Sequence, residues 1–102
     1  MSTKKKQQNK QQARTTVAVS FTPHGWDDYQ YWKVHDRDIH DKIDALISDC
    51  LRSPFKGIGK PEPLVGDLSG FWSRRITQEH RLVYLYEDGQ LFILQCRYHY
   101  GD

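Results

Sequence analysis

Glu62, Arg75, Arg81 and His99 are residue types that can cleave a phosphodiester without a metal. RNA carries its own nucleophile, the 2′-hydroxyl. A catalyst must take that proton, hold the crowded phosphorane and return a proton to the departing 5′-oxygen. Glu62, as a carboxylate, can be the base. Arg81 can hold the added negative charge, because a guanidinium matches phosphate oxygens in fork geometry. His99, with an ordinary pKa of ~6.5, can be the acid. Each proton-transfer role is worth about 10²–10⁴ in rate. Tyr98 and Tyr100 can orient or stack a base. No external water has to be activated, so this chemistry calls for no metal and no other cofactor.

Each residue alone also has a plainer reading. Glu62 can be a surface loop acid, and Arg81 a solvated charge at the start of a strand. His99 can be an exposed residue near a terminus. Arg75 can pair with Glu79 or Glu87.

The elements that must position these groups follow from the chain's patterning. Residues 91–100 begin as apolar β-forming sequence and end in Arg97, Tyr98, His99 and Tyr100. They read as a last strand whose end carries the chemistry. Residues 71–77 and 81–87 read as two more strands, with a turn at 78–80. Asp88-Gly89 is a strong hairpin signal. These three strands form an antiparallel meander, which brings the end of the last strand to the start of the strand that Arg81 opens. Arg81 and His99, 18 positions apart, therefore meet. Leu82, Tyr84 and Tyr86 share one face; Arg81, Val83 and Leu85 share the other. Arg75 faces the same way as Ser73 and Thr77.

Upstream, residues 17–21 read as a first strand. Thr22-Pro23 is a helix start, with Thr as N-cap and Pro in the first turn. Trp26, Tyr29 and Trp32 fall on one face of that helix and read as core. Asp36 can cap a second helix of about 17 residues. Its apolar stripe is Ile39, Ile43, Leu46, Ile47, Cys50 and Leu51. Pro54 ends it. Residues 55–70 read as a loop in which Lys60-Pro61-Glu62-Pro63 gives the carboxylate a stiff mount. The order is β-α-α-β-β-β: an α+β domain, an antiparallel sheet with two helices on one face.

Length and charge bound the function. A chain of 102 residues makes one domain. Residues 1–16 carry five basic side chains and no acid. They read as a disordered basic extension, and residues 17–102 as the single domain. The domain itself is acidic by 3 charges, which argues against a free-standing RNase. Seven aspartates crowd residues 26–49 and read as wet helix faces. Residues 50–100 hold the basic excess and are the better partner for an anion. Cys50 and Cys96 form no metal or redox motif and read as buried free thiols. No membrane span or signal segment is recognisable, so a cytoplasmic protein is expected.

Several contiguous blocks carry a resemblance: Trp26-Asp-Asp-Tyr-Gln-Tyr-Trp32, Pro54-Phe-x-Gly-x-Gly-Lys-Pro-Glu-Pro-Leu64, Leu68-Ser-Gly-Phe-Trp-Ser-Arg-Arg-Ile-Thr77, Glu79-His-Arg-Leu-Val-Tyr84 and Cys96-Arg-Tyr-His-Tyr100. Over residues 17–100 the chain resembles the YoeB (Txe) toxins of the RelE/ParE superfamily. The resemblance implies a RelE-like, microbial-RNase-like fold. It also implies a type II toxin that cuts mRNA in the ribosomal A site and inhibits translation. A YefM-like antitoxin is the implied partner, in a complex that binds its own operator DNA. A homodimer is implied as well. The catalytic set it implies is Glu62, Arg81, His99 and Tyr100, with Arg75 supporting phosphate. Arg74, Lys60, Arg97 and Tyr98 are further candidates for contact with RNA. The ParE-type members bind without cleaving and lack the Glu/His pair; Glu62 with His99 favours the enzyme. Residues 1–16 and Gly101-Asp102 are extra to the family pattern.

Overall fold

A computed structural model of the chain describes residues 18–99. The expected extension 1–16, Val17, Tyr100, Gly101 and Asp102 lie outside the described residues. The elements run β1 (Ala18–Phe21), α1 (Pro23–His35), α2 (Arg37–Arg52), β2 (Glu62–Pro63), a 3-10 turn (Gly66–Leu68), β3 (Trp72–Arg75), β4 (Arg81–Glu87) and β5 (Gln90–Gln95). The α+β class and the meander are as the patterning predicts. The sheet, however, has five strands in the order β1-β5-β4-β3-β2.

The helix starts are set by side chains. Thr22 Oγ accepts the Gly25 N–H, and Pro23 opens α1. Asp36 ends one helix and starts the next. Its N–H donates to the Trp32 carbonyl, and its carboxylate accepts the Ile39 N–H. The stripe on α2 is buried as its spacing requires: Ile43, Leu46 and Cys50 are fully enclosed. They pack with Trp32 against Leu82, Tyr84, Leu91 and Ile93 of the sheet. The aromatic stripe on α1 is only partly core. Trp32 is buried, whereas Trp26 is 48% exposed and stacks on Tyr29. Burial pushes the Cys50 thiol up to about 11 and that of Cys96 to about 12, so both stay inert.

Helix α1 touches the sheet closely at Gly25. A Cβ there would stand 2.6 Å from the Ile93 carbonyl oxygen. Thr22 completes the seam, donating through its hydroxyl to Leu94 O and through its amide to Ile93 O. Gly25→Ala must therefore lift α1 off β5. We expect a loss on the order of 1–3 kcal/mol, read by denaturant unfolding, with the secondary-structure content unchanged.

The turn between β4 and β5 has both central residues in the left-handed region, Asp88 at φ 52° and Gly89 at φ 71°. That is the primed hairpin Asp-Gly predicts. Strand β1 lies parallel to β5 and pairs Ala18 with Gln90 and Phe21 with Ile93. No helix among the described residues is long and apolar enough to cross a membrane.

Two boundaries differ from the sequence reading. The stretch expected as loop contains β2, a two-residue edge strand on β3. An edge tolerates its proline, whose missing N–H needs no ladder partner. The last strand stops at Gln95 rather than running to residue 100. At Cys96 the backbone is taken up by side chains instead of by a neighbouring strand. The Cys96 N–H donates to Asp28 Oδ2 at 3.1 Å, and its carbonyl accepts the Trp32 indole N–H at 2.8 Å. Tyr98 then turns at φ 64°.

Candidate active site

Directly opposite residues in a sheet point to the same face. The register pairs Glu62 with Ser73, Ser73 with Val83, and Arg75 with Arg81. Helix-facing residues fill the alternate positions: Trp72, Arg74, Leu82 and Tyr84. Glu62, Arg75 and Arg81 thus share the sheet face away from the helices. Ser73 and Val83 make its buried floor. From strand spacing, the Cα atoms of Glu62 and Arg81 are roughly 12 Å apart, two strands across and two residues along. A phosphodiester fits between side chains extended from two such positions.

Arg75 and Arg81 stand directly opposite each other, an arrangement that costs stability unless an anion joins it. Arg75 is exposed and forms no ion pair with Glu79 or Glu87 among the described residues. Arg81 is not the solvated edge charge that a strand start allows; it is 8% exposed. Its Nη1 donates to the carbonyls of Thr77, Gln78 and His80. The turn before β4 holds one side of the guanidinium and so aims it. Thr77 closes that turn by accepting the amides of Glu79 and His80.

The mount of Glu62 is built from behind the sheet. Arg74, expected among the phosphate contacts, is instead spent inside the fold. It is fully buried on the helix face, and all five of its guanidinium N–H groups are engaged. Nε donates to Tyr84 Oη, Nη1 to Asp49 Oδ2 and Ile58 O, and Nη2 to Ser53 O and Lys56 O. A phosphate could reach it only by dismantling the loop it holds. That loop closes on Asp49 as well, which accepts the Ile58 N–H. Gly57, at φ 125°, leaves no room for a Cβ beside Asp49 Oδ2. The next tie is the Arg75 N–H to Gly59 O at 2.7 Å. Lys60 then turns at φ 51° and delivers Pro61 and Glu62 to the edge of β3. Lys60 stays exposed on this approach.

The Arg74 hydrogen bond, with those from Ile58 and Arg52, lowers the Asp49 carboxyl from 3.8 to about 2. A depressed carboxylate stabilises the fold fully above its unfolded value and loses that contribution as pH falls through its folded value. The window here is pH 3.8 down to about 2. Acid unfolding followed by circular dichroism should therefore be steeper in this window for the wild type than for Asp49→Asn.

The C-terminal part of the site is held from three sides. Asp28 and Trp32 bind Cys96 as described above. His80 Nδ1 accepts the Tyr98 N–H at 2.7 Å, and the Arg81 N–H donates to the Tyr98 carbonyl at 3.1 Å. His99 follows in the chain, partly buried, next to the residue tied to Arg81. Arg97 is enclosed by rings: its guanidinium carbon lies 3.6 Å from the Tyr31 centroid and 4.7 Å from that of Tyr98. Its Nη2 also donates to Tyr98 Oη. Asp28 departs from the wet-face reading of the helix acids. It is 7% exposed, and burial raises its pKa despite the Cys96 amide and the His24 and Arg97 charges.

One group of metal-ligand type occurs among the described residues, His40, Asp41 and Asp44 on α2. Its two acids are exposed, and Asp44 already accepts the Tyr29 hydroxyl at 2.6 Å. It has no part in the open sheet face.

Comparison with known proteins shows the family and the fold. The family model described as the YoeB-like toxin of bacterial type II toxin–antitoxin systems matches residues 21–100. The toxin YoeB of Streptomyces coelicolor is 60% identical over 84 residues, which are 82% of this chain and 100% of that protein. Among solved structures, a YoeB/ParE toxin from Agrobacterium tumefaciens is 49% identical with a TM-score of 0.78, covering 81% of this chain and 99% of that one. A YoeB–YefM complex from Staphylococcus aureus is 40% identical with a TM-score of 0.77, covering 82% and 98%. A YoeB dimer from the same organism is 41% identical with a TM-score of 0.78, covering 83% and 99%.

Proposed function

Because the chain belongs to the YoeB-like toxins of bacterial type II toxin–antitoxin systems, we propose that it is a ribosome-dependent endoribonuclease that cuts mRNA in the A site. The observation that carries this is the register. It sets an Arg75–Arg81 pair and Glu62 on one open sheet face, while the His80–Tyr98 contact ties the residue before His99 to the turn that precedes Arg81. Glu62 takes the 2′-hydroxyl proton. Arg81, with Arg75 opposite it, stabilises the phosphorane, since the turn carbonyls orient its guanidinium before substrate arrives. His99 protonates the leaving 5′-oxygen, and Tyr100 orients the substrate. Lys60 and Tyr98, both exposed, are placed to meet RNA. The acidic balance of residues 17–102 fits a nuclease that finds its substrate on a ribosome rather than free in solution.

A YefM-like antitoxin neutralises the toxin, a reading supported by the YoeB–YefM complex of the Staphylococcus aureus relative. The dimer of that relative supports a homodimer here. The toxin–antitoxin pair represses its own operator, and the protein acts in the cytoplasm.

Purified toxin should be incubated with mRNA in a cell-free translation system, with and without ribosomes, and the 5′ ends mapped by primer extension. In-frame cuts that require ribosomes and vanish in His99→Ala are expected. Cuts without ribosomes would mean a general RNase. No cuts by folded protein would leave a toxin that binds without cleaving.

A further inference from the structure

We propose that His80 is a positioning residue: its unprotonated Nδ1 holds the Tyr98 amide and thereby fixes the turn that presents His99 to Arg81. The inference rests on the nuclease reading for its catalytic consequence, though not for its geometry.

Four observations carry it. The Tyr98 N–H to His80 Nδ1 bond is short, 2.7 Å, and needs a lone pair on that nitrogen. An accepting Nδ1 fixes the neutral tautomer with its proton on Nε2. Tyr98 is a non-glycine residue at φ 64°, a conformation that persists only where its surroundings impose it. Both of its backbone polar groups are bonded, to His80 and to the Arg81 amide. Finally, the His80 ring is itself wedged, edge-on to Trp32 at 4.7 Å between centroids and tilted to Tyr98 at 5.6 Å. The same turn that aims the Arg81 guanidinium carries His80. One four-residue device thus positions two catalytic groups.

Protonation would reverse the contact. An imidazolium Nδ1–H faces the Tyr98 N–H donor to donor, and the turn must open. The groups facing His80 come from every packed element: Asp28 of α1, Glu79 of its own turn, Arg81 of β4 and Arg97 of the C-terminal segment. Burial lowers the His80 pKa most; Arg97 and Arg81 lower it further, against Glu79 and Asp28. The folded state therefore prefers the neutral ring. The contribution is complete above the unfolded value of 6.5 and is lost as pH falls below it toward the folded value.

The test compares the wild type with His80→Asn and His80→Phe, all as full chains. Asn offers an oxygen near the Nδ1 position and does not titrate. Phe keeps a ring against Trp32 and accepts nothing. Amide spectra and hydrogen exchange from about pH 5 to 8 give a readout independent of activity. Expected is a Tyr98 amide protected at pH 8 and released in one titration below pH 6.5 in the wild type. In His80→Asn it stays protected throughout, and in His80→Phe it is unprotected throughout. In the ribosome-dependent cleavage assay, His80→Phe should lose about 10²-fold in kcat with KM unchanged, while His80→Asn stays close to wild type. A Tyr98 amide as protected in His80→Phe as in the wild type would overturn the proposal. So would His80→Asn as inactive as His80→Phe. If the amide pattern is as expected but even the wild type cuts nothing, the clamp stands and the nuclease reading falls.

Discussion

Arg74→Met will destabilise the fold by about 3–5 kcal/mol, the range for breaking a buried ionic contact by removing one partner. The side chain is wholly buried and binds one carboxylate, one hydroxyl and three carbonyls. Methionine fills the volume but leaves those acceptors without donors. Lysine is no remedy, because one ammonium has three donors and no fork to reach five acceptors. Arg74→Lys should therefore fall near Arg74→Met in a urea titration. A wild-type midpoint for either variant would mean that the loop is held by other means. Because the same loop feeds Gly59 to Arg75 and Glu62 to β3, cleavage should fall faster than stability.

His99→Ala should abolish most cleavage, about 10²–10⁴-fold. Arg81→Ala should lose at least as much rate. Arg81 also braces the turn at residues 77–80, so its alanine variant should melt a few degrees lower. Arg81→Lys separates these effects: one ammonium can keep a carbonyl bond of the turn yet cannot fork onto a phosphate. Rate loss with recovered melting temperature in Arg81→Lys is the expected outcome. Primer-extension rates and calorimetry on the same preparations measure both quantities. A His99→Ala enzyme cutting at the wild-type rate would remove His99 from the chemistry.

Much of this arrangement is legible in the chain because it depends on local spacing. Thr22-Pro23, Asp36, the α2 stripe and Asp88-Gly89 each state their structure within a few residues. The alternation in β4 also predicts the two faces, and hence that Arg81 lies on the side away from Leu82 and Tyr84. What spacing cannot show is which long-range partner claims a polar group. Arg74 and Arg75 are adjacent and chemically alike. Parity puts one under the helices and the other on the open face, yet only the position of Asp49, 25 residues back, shows why the buried one is tolerated. Asp28 looks like its solvated neighbours until Cys96 is brought to it, 68 residues on. His80 reads as a turn residue, and its contact with Tyr98 depends on where β5 stops. The strand β2 is hidden for a related reason. Glu62 and Pro63, preceded by Pro61, have no alternation to detect, and only the partner β3 makes them a strand.

The parallel pairing of β1 with β5 bears on how quickly an active molecule can form. Thr22 and Leu94 are bonded across 72 residues of chain. Closing a loop of that length costs about 4 kcal/mol of chain entropy, whereas the Asp88-Gly89 hairpin closes almost at once. The hairpin and meander can therefore be populated early, and the seam between α1, β1 and β5 comes late. Such a chain should refold in milliseconds to seconds, not microseconds. Cys96, which leads into Tyr98 and His99, is pinned by Asp28 and Trp32 on the far side of that seam, so catalytic competence should appear with the slowest structural phase. A newly made toxin would then pass through a partly folded and harmless interval before that seam closes.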